Sequence, residues 1–286
     1  MISRSEYRAL ALDGIQDFEV LSKHPVFPDG TQLPVLHAKR YIWMINALLL
    51  GLQASGCFIP CSENGSNKKA ATVVSIGCFP GSLDRIIKIL FRDNIHIIGV
   101  GLSISDEFSR AFLGKVYDKL MSLELDPLYH ANLSSKYPIS IDMEDSSADV
   151  VIAGEIFEHL YSPLNFLKEA SRVLKKDGHL ILTTPNISYI GNIVKLIRGH
   201  SCHENLDTSH IYMNSEWRAH IRVYDRNEVS LLCKRNAISE LVTQFIDNGE
   251  DKFYSNAKIR MKMKLLKLFY IIPRYRNNLC QIFRKD

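Results

Sequence analysis

The sequence predicts an α/β chain in which a mostly parallel, doubly wound sheet carries helices on both faces. Three observations predict it. From about residue 70 to residue 185, short apolar runs alternate with stretches of helical spacing, the pattern of β-α units around a parallel sheet. The first run, 72–77, leads into a turn with Gly77 and Gly81 four positions apart, and then into a helix. Lys175-Lys176-Asp177-Gly178 places cations and a glycine where a helix ends before the next strand. In sheets of this plan ligands sit outside the carboxyl ends of the strands, near the switch point.

Taken in order, residues 1 to about 35 are mixed, with turn signals at Pro25, at Pro28-Asp29-Gly30 and at Pro34. A helix is expected from about Leu36 to Ala54. The run 41–61 around it contains no charged residue. Its dense apolar part is short of the roughly 20 residues that a membrane span needs, so it reads as a buried helix. Residues 62–69 (SENGSNKK) form a polar linker. Strands follow at 72–77 and 95–100, with a helix at 81–91 between them. A helix over 105–123 is opened by the acidic Ser105-Asp106-Glu107 start. A weak strand is read at 128–133 and a strong one at 149–153. Ser162 as N-cap and Pro163 in the first turn open a helix that runs to Leu174, and 179–184 is the next strand. The division expected is an N-terminal extension over 1–66, one domain over 67–248, and a basic tail over 249–286 that contributes a last strand near 278–283.

The six cysteines form no C-x-x-C pair, so neither a disulfide framework nor a zinc ribbon is indicated. No secretory signal is visible at the start, and a reducing, cytoplasmic setting is expected. The net charge of +4 is unevenly distributed. From Lys258 to Asp286 there are nine Lys or Arg against one acid, which leaves a net −4 on the first 257 residues. A basic tail of this kind suits an anionic partner, either a membrane surface or, less readily, a nucleic acid. Within it, Lys258, Arg260, Lys262 and Lys264 alternate strictly with Ile259, Met261, Met263 and Leu265, a period of two that predicts a strand.

The most specific stretch is 149–186, DVVIAGEIFEHLYSPLNFLKEASRVLKKDGHLILTTPN. Together with VVSIGCFPGS at 73–82, IIGVGLS at 97–103 and HIRVYDRNEVSLLCKRNAI at 220–238, it resembles the class I methyltransferases that use S-adenosyl-L-methionine. The resemblance implies a Rossmann-like sheet of seven strands with a late antiparallel strand. It implies cofactor contacts at Ser75, Gly77, Phe79, Gly81, Gly101, Asn132, Gly154 and Glu155, with Asn132 at the end of the third strand facing the adenine amino group. The chain departs from the family pattern where Ser75 and Gly101 replace acidic residues and Phe79 replaces a glycine. The acid absent at Gly101 would have bound the ribose hydroxyls, with Asp84 or Asp106 as possible replacements.

Glu155, Glu158 and His159 form an E-x-x-E-H group whose i, i+3, i+4 spacing would put all three on one face of a helical turn. Three readings stand. His159, with Glu155, could be the catalytic base. Glu155, Glu158, His159 and His220 could hold Mg²⁺ or another divalent cation, as in small-RNA ribose and ubiquinone-type O-methyltransferases. Or Glu158 and His159 could simply cap and pack the turn. Residues 199–210 (GHSCHENLDTSH) match no zinc spacing and read as a loop over the acceptor, with Tyr212 and Trp217 as contacts. The implied activity is O-methylation of a small molecule or glycan, lipid-linked in one version. Metal-assisted methylation of RNA ribose and a non-catalytic binding subunit are the alternatives.

Overall fold

The computed structural model describes residues 1–12, 37–57, 70–102, 104–126, 139–203, 218–249 and 256–286. Its core is a seven-stranded sheet: β1 (Ala71–Ile76), β2 (Ile95–Gly101), β3 (Lys119–Ser122), β4 (Ala148–Gly154), β5 (Leu174–Pro185), β6 (Ile238–Ile246) and β7 (Asn278–Lys285). The spatial order is β3-β2-β1-β4-β5-β7-β6. The pairs from β3 to β5 are parallel, and β7 runs antiparallel between β5 and β6. The chain reverses its direction of travel across the sheet at β1 and β4, and a crevice opens at their carboxyl ends.

Helices cover both faces. On one lie α1 (Arg4–Leu12), α2 (Ala38–Ala54), α3 (Ser82–Phe91) and α4 (Asp106–Phe112); on the other lie α5 (Leu164–Val173) and α7 (Arg226–Lys234). A short α6 (Ile190–Ile197) follows β5, and α8 (Ala257–Leu266) precedes β7. β4, buried on both faces, is accordingly a continuous apolar run.

The N-terminal helices are an integral layer of this core. α2 buries Met44, Ile45, Leu48 and Leu52 against β4 and β5, each contributing about 1.5–3 kcal/mol of transfer free energy. α1 inserts Tyr7 and Ala11 into the same cluster, and Ile2 donates its backbone N–H to Asn46 Oδ1 at 2.8 Å. Among the described residues no helix is long and apolar enough to cross a membrane.

Three sequence expectations are corrected and one lies outside the described residues. The helix expected over 105–123 stops at Phe112; its Ser105 cap is present, accepting from Phe108 N–H, but Gly114 turns the chain at φ +77 and residues 119–122 become the edge strand β3. Four residues are too few to show a strand period, and pairing with β2 decides them. The strand expected at 128–133, with Asn132 at its end, lies outside the described residues; β3, at Lys119–Ser122, is a strand inside the span expected to be helical. α5 is capped by Pro163 without a side-chain bond, and Lys175–Gly178 lie inside β5, where the register with β4 shifts and Asp177 takes φ 62. Finally, 258–265 is helical, with Asn256 as its N-cap, accepting from the Lys258 and Ile259 N–H groups. The last strand, β7, is present where the tail was expected to supply it.

Candidate active site

The crevice at the carboxyl ends of β1 and β4 deepens into a cavity of about 390 Å³. Ser75, Gly77, Phe79, Gly81, Gly101, Gly154, Glu155, Glu158, His159 and His220 all line it, and Asn132 lies outside the described residues.

One wall is the turn between β1 and α3. Gly77 has φ +76, and a Cβ there would sit 2.0 Å from Ile156 Cδ1, so only glycine fits. Phe79 does two jobs: it lines the cavity, and its ring packs 5.5 Å from that of Phe108. A Cβ at Gly101 would lie 3.2 Å from Ile104 and 3.5 Å from Cys78, so the end of β2 is closely packed where the family pattern has an acid. Asp106 is exposed and does not reach the cavity; Asp84 lines it but is turned inward. Its Oδ2 accepts from Tyr117 O–H at 2.7 Å, and the Ser75 hydroxyl adds a second bond. Burial pushes the Asp84 carboxyl up to about 6, with those two hydroxyls holding it back from rising further.

The opposite wall comes from β4, its following turn and α2. Glu155 sits just after β4 in the left-handed region, φ 55, and donates its N–H to Thr183 O at 2.9 Å. For a non-glycine residue this conformation costs of order 1–3 kcal/mol and persists where several contacts over-determine it. Here Arg40 Nη1 of α2 lies 3.0 Å from Glu155 Oε2, and Asn278 Nδ2 at the start of β7 donates to both carboxylate oxygens at 3.1 Å. Arg40 is buried, and its Nε is without a hydrogen-bond partner among the described residues.

The expectation of one helical face for Glu155, Glu158 and His159 is corrected. Phe157–His159 is a single 3₁₀ turn, and Glu155 lies before it with its carboxylate on Arg40 and Asn278. What the turn does bring together is Glu158, His159 and His220. Glu158 is fully buried; its Oε2 accepts from Thr184 O–H at 3.0 Å, while its Oε1 has no hydrogen-bond partner among the described residues. That orphan oxygen stands 3.9 Å from both His159 Nε2 and His220 Nε2. The three candidate ligand atoms lie within 4.8 Å of one another. Burial first, and the Glu155 charge second, push the Glu158 carboxyl well above its ordinary range, and burial pulls the His159 imidazole below its own. His159 Nδ1 lies 3.2 Å from the Ala219 carbonyl, which can only accept, so Nδ1 carries the proton and the Nε2 lone pair faces the cavity.

Residues that sequence reasoning missed come from other parts of the chain. Leu123, Glu124 and Leu125, after β3, line the cavity, and Glu124 pairs with Arg218. Arg40, Tyr41 and Met44 of α2 close one side. A cation buried near the start of a nearly uncharged helix was a usable signal for Arg40; nothing local pointed to Asn278. Tyr212, Trp217 and most of the 199–210 loop fall outside the described residues.

A family model described as a methyltransferase domain matches residues 59–236, more than half of the chain. A probable S-adenosylmethionine-dependent methyltransferase of Mycobacterium tuberculosis is 30% identical over 77 residues, 24% of this chain and 28% of that protein. One from Mycolicibacterium smegmatis is 29% identical over 94 residues, 31% of this chain and 35% of that protein. The match therefore spans about a third or less of the length of these curated relatives. Among solved structures, a Haloferax volcanii methyltransferase in complex with the Trm112 methyltransferase activator superposes with a TM-score of 0.50 at 15% identity, covering 98% of this chain and 97% of that one. At that identity the likeness is one of fold.

Proposed function

The chain belongs to the methyltransferase-domain family, and we propose that it is an S-adenosyl-L-methionine-dependent methyltransferase acting on an oxygen of a small molecule or glycan. The observation that carries this reading is the pairing of two walls across one cavity. One is a glycine turn, Gly77 and Gly81 at positive φ, that brings bare backbone to the cavity; the other carries an imidazole whose Nδ1 is engaged by a carbonyl, leaving Nε2 as the basic atom. The cavity is within the size range of small-ligand sites.

The residues present fit the cofactor. Gly77 and Gly81 would admit it against the backbone, Phe79 would cover it, and Glu124 at the end of β3 would take the adenine-side role expected of Asn132. Glu155 would face its cationic centre. When bound, the cofactor supplies an electrophilic methyl group on a sulfonium. His159 Nε2 receives the proton of the acceptor hydroxyl. Glu155, held by Arg40 and Asn278, keeps a fixed negative charge beside the reacting centre. The departures at Ser75 and Gly101 leave the turn and the crevice open, which supports a binding-competent site over a non-catalytic subunit.

A second reading has its own observation. Glu158 Oε1, with the Nε2 atoms of His159 and His220 beside it, makes a donor set of one carboxylate and two imidazoles, suited to Mn²⁺ or Zn²⁺ and less so to Mg²⁺. Glu155 is not part of this set. In that version the cation would bind the acceptor oxygen, the chemistry of a ribose methyltransferase.

Calorimetric titration with S-adenosyl-L-methionine and its demethylated product, with and without Mn²⁺ or Mg²⁺, tests both. Dissociation constants in the micromolar range, about −8 kcal/mol, support the transferase reading. Tightening by the metal that is lost in Glu158→Gln favours the second. No binding at millimolar cofactor overturns both and leaves the non-catalytic subunit.

A further inference from the structure

The segment between β6 and β7 does something the rest of the surface does not. α8 buries none of its residues. Its strict alternation of cations and apolar residues, placed on a helical period, gives four stripes in place of two faces. Met263 and Leu266 are half-buried and turn toward the protein, with Met263 Sδ accepting from Tyr189 O–H at 3.7 Å. Met261 and Leu265, four residues apart, form the outward stripe, 60% and 58% exposed. The pairs Lys258/Lys262 and Arg260/Lys264 flank that stripe on its two sides, and none of the four has an ion-pair partner among the described residues. The turns that follow extend the apolar surface: Leu268 is 73% and Ile271 86% exposed, while Tyr270 between them is buried and anchors the segment. α6, packed beside α8, adds Ile197, 80% exposed.

The location matters as much as the composition. β5 and β6 run in the same direction as β1 and β4, so the β6–β7 connection lies on the carboxyl edge of the sheet, the edge of the cavity. It leads straight into Asn278, whose amide touches Glu155.

We propose that α8 and the turns after it dock onto an anionic lipid bilayer, holding the cavity edge at the membrane surface. Long apolar side chains bordered by lysine and arginine are what an interfacial segment presents: the apolar groups enter the acyl boundary and the cations meet the headgroup phosphates. Residues 256–277 contain seven Lys or Arg and no acid; Lys267 pairs with Asp247 and Arg276 donates to the Tyr270 and Phe245 carbonyls, and the four cations of α8 supply the outward charge. A second copy seated on the same patch would set like charges against each other. An RNA strand would leave the aliphatic stripe without a partner. The docking stands apart from the transferase reading; only its purpose, delivery of a lipid-linked or amphiphilic acceptor, rests on that reading.

The test is co-sedimentation of the full chain with vesicles of phosphatidylcholine alone and of phosphatidylcholine with phosphatidylglycerol at roughly two to one. Binding is expected to the anionic vesicles only, weakened at high salt. Lys262→Ala with Lys264→Ala should lower the partition coefficient roughly 30-fold. Leu268→Gln with Ile271→Gln should lower it at least tenfold, with circular dichroism and cofactor titration unchanged in both double variants. The proposal is overturned by equal or absent binding to the two vesicles, or by binding that the aliphatic pair leaves intact. It is also overturned if those substitutions instead abolish self-association in ultracentrifugation or binding to polyuridylate. Loss of cofactor binding with vesicle binding retained would sink the transferase reading and leave the docking standing.

Discussion

Arg40 Nη1 lies 3.0 Å from Glu155 Oε2, and this contact joins the N-terminal helical layer to the turn after the fourth strand. Desolvation of the buried guanidinium works against its charge, but the Glu155 carboxylate, joined by Tyr41, Glu158 and Cys280, outweighs it, and Arg40 is held above its ordinary range. The helix that packs the core is therefore also the helix that holds the Glu155 carboxylate in place.

Replacing Arg40 with methionine keeps most of its volume and removes the partner of Glu155. Breaking a buried pair of this kind costs about 3–5 kcal/mol, and the partial exposure of Glu155 reduces that to about 2–3. Urea unfolding of Arg40→Met should show this loss. Once an acceptor is known, kcat should fall more than KM rises, because Glu155 then leaves its strained backbone position. A variant with wild-type stability and kcat would show that the contact is incidental.

Asp84 makes stability depend on pH in the direction opposite to most carboxylates. Its folded value of about 6 lies above the unfolded value of about 4. The folded state therefore holds the proton more tightly, and the contribution is full below pH about 4. It is lost as pH rises to about 6 and stays lost above it, a difference of order 2–3 kcal/mol. Asp84→Asn keeps an acceptor for the Tyr117 hydroxyl and has no such charge to bury. The variant should be more stable than the parent at pH 7 and equal to it near pH 4, as read from thermal melts across that range. A constant difference between the two proteins at all pH values would contradict the assignment.

Gly77→Ala combines a left-handed backbone with a Cβ that would overlap Ile156 Cδ1. Ile156 must move or the turn must open, at a cost of about 1–3 kcal/mol. Cofactor affinity should fall by at least tenfold in calorimetry, while Gly114→Ala, at a positive φ with open space around it, should cost stability without touching affinity. Equal losses of affinity in the two variants would remove the turn from the site.

Much of the fold was legible because local and tertiary demands agreed. The run 149–153 is apolar at every position but Asp149, as a strand covered on both faces requires, and the helix over 164–173 carries its own apolar period. Where they disagreed, local pattern misled. The alternation at 258–265 satisfies a strand period, but no strand edge receives it: β7 fills the slot between β5 and β6, and the segment becomes a helix capped by Asn256. The spacing of Glu155, Glu158 and His159 read as one helical face because spacing cannot report that Glu155 occupies φ 55.

By itself the sequence determined the alternating α/β order, the glycine turn after the first strand and the cluster of acids and histidines after the fourth, because each is written in neighbouring residues through period, chain permissiveness and side-chain chemistry. Only the tertiary structure decided which members of that cluster act together. Glu158 meets its neighbour His159 and, 62 positions further along the chain, His220, and Glu155 is claimed instead by Arg40 and Asn278 from the two ends of the protein. Pairings of that kind depend on which buried charge finds which partner once the layers close, and a desolvated charge takes whatever partner the packing brings within reach.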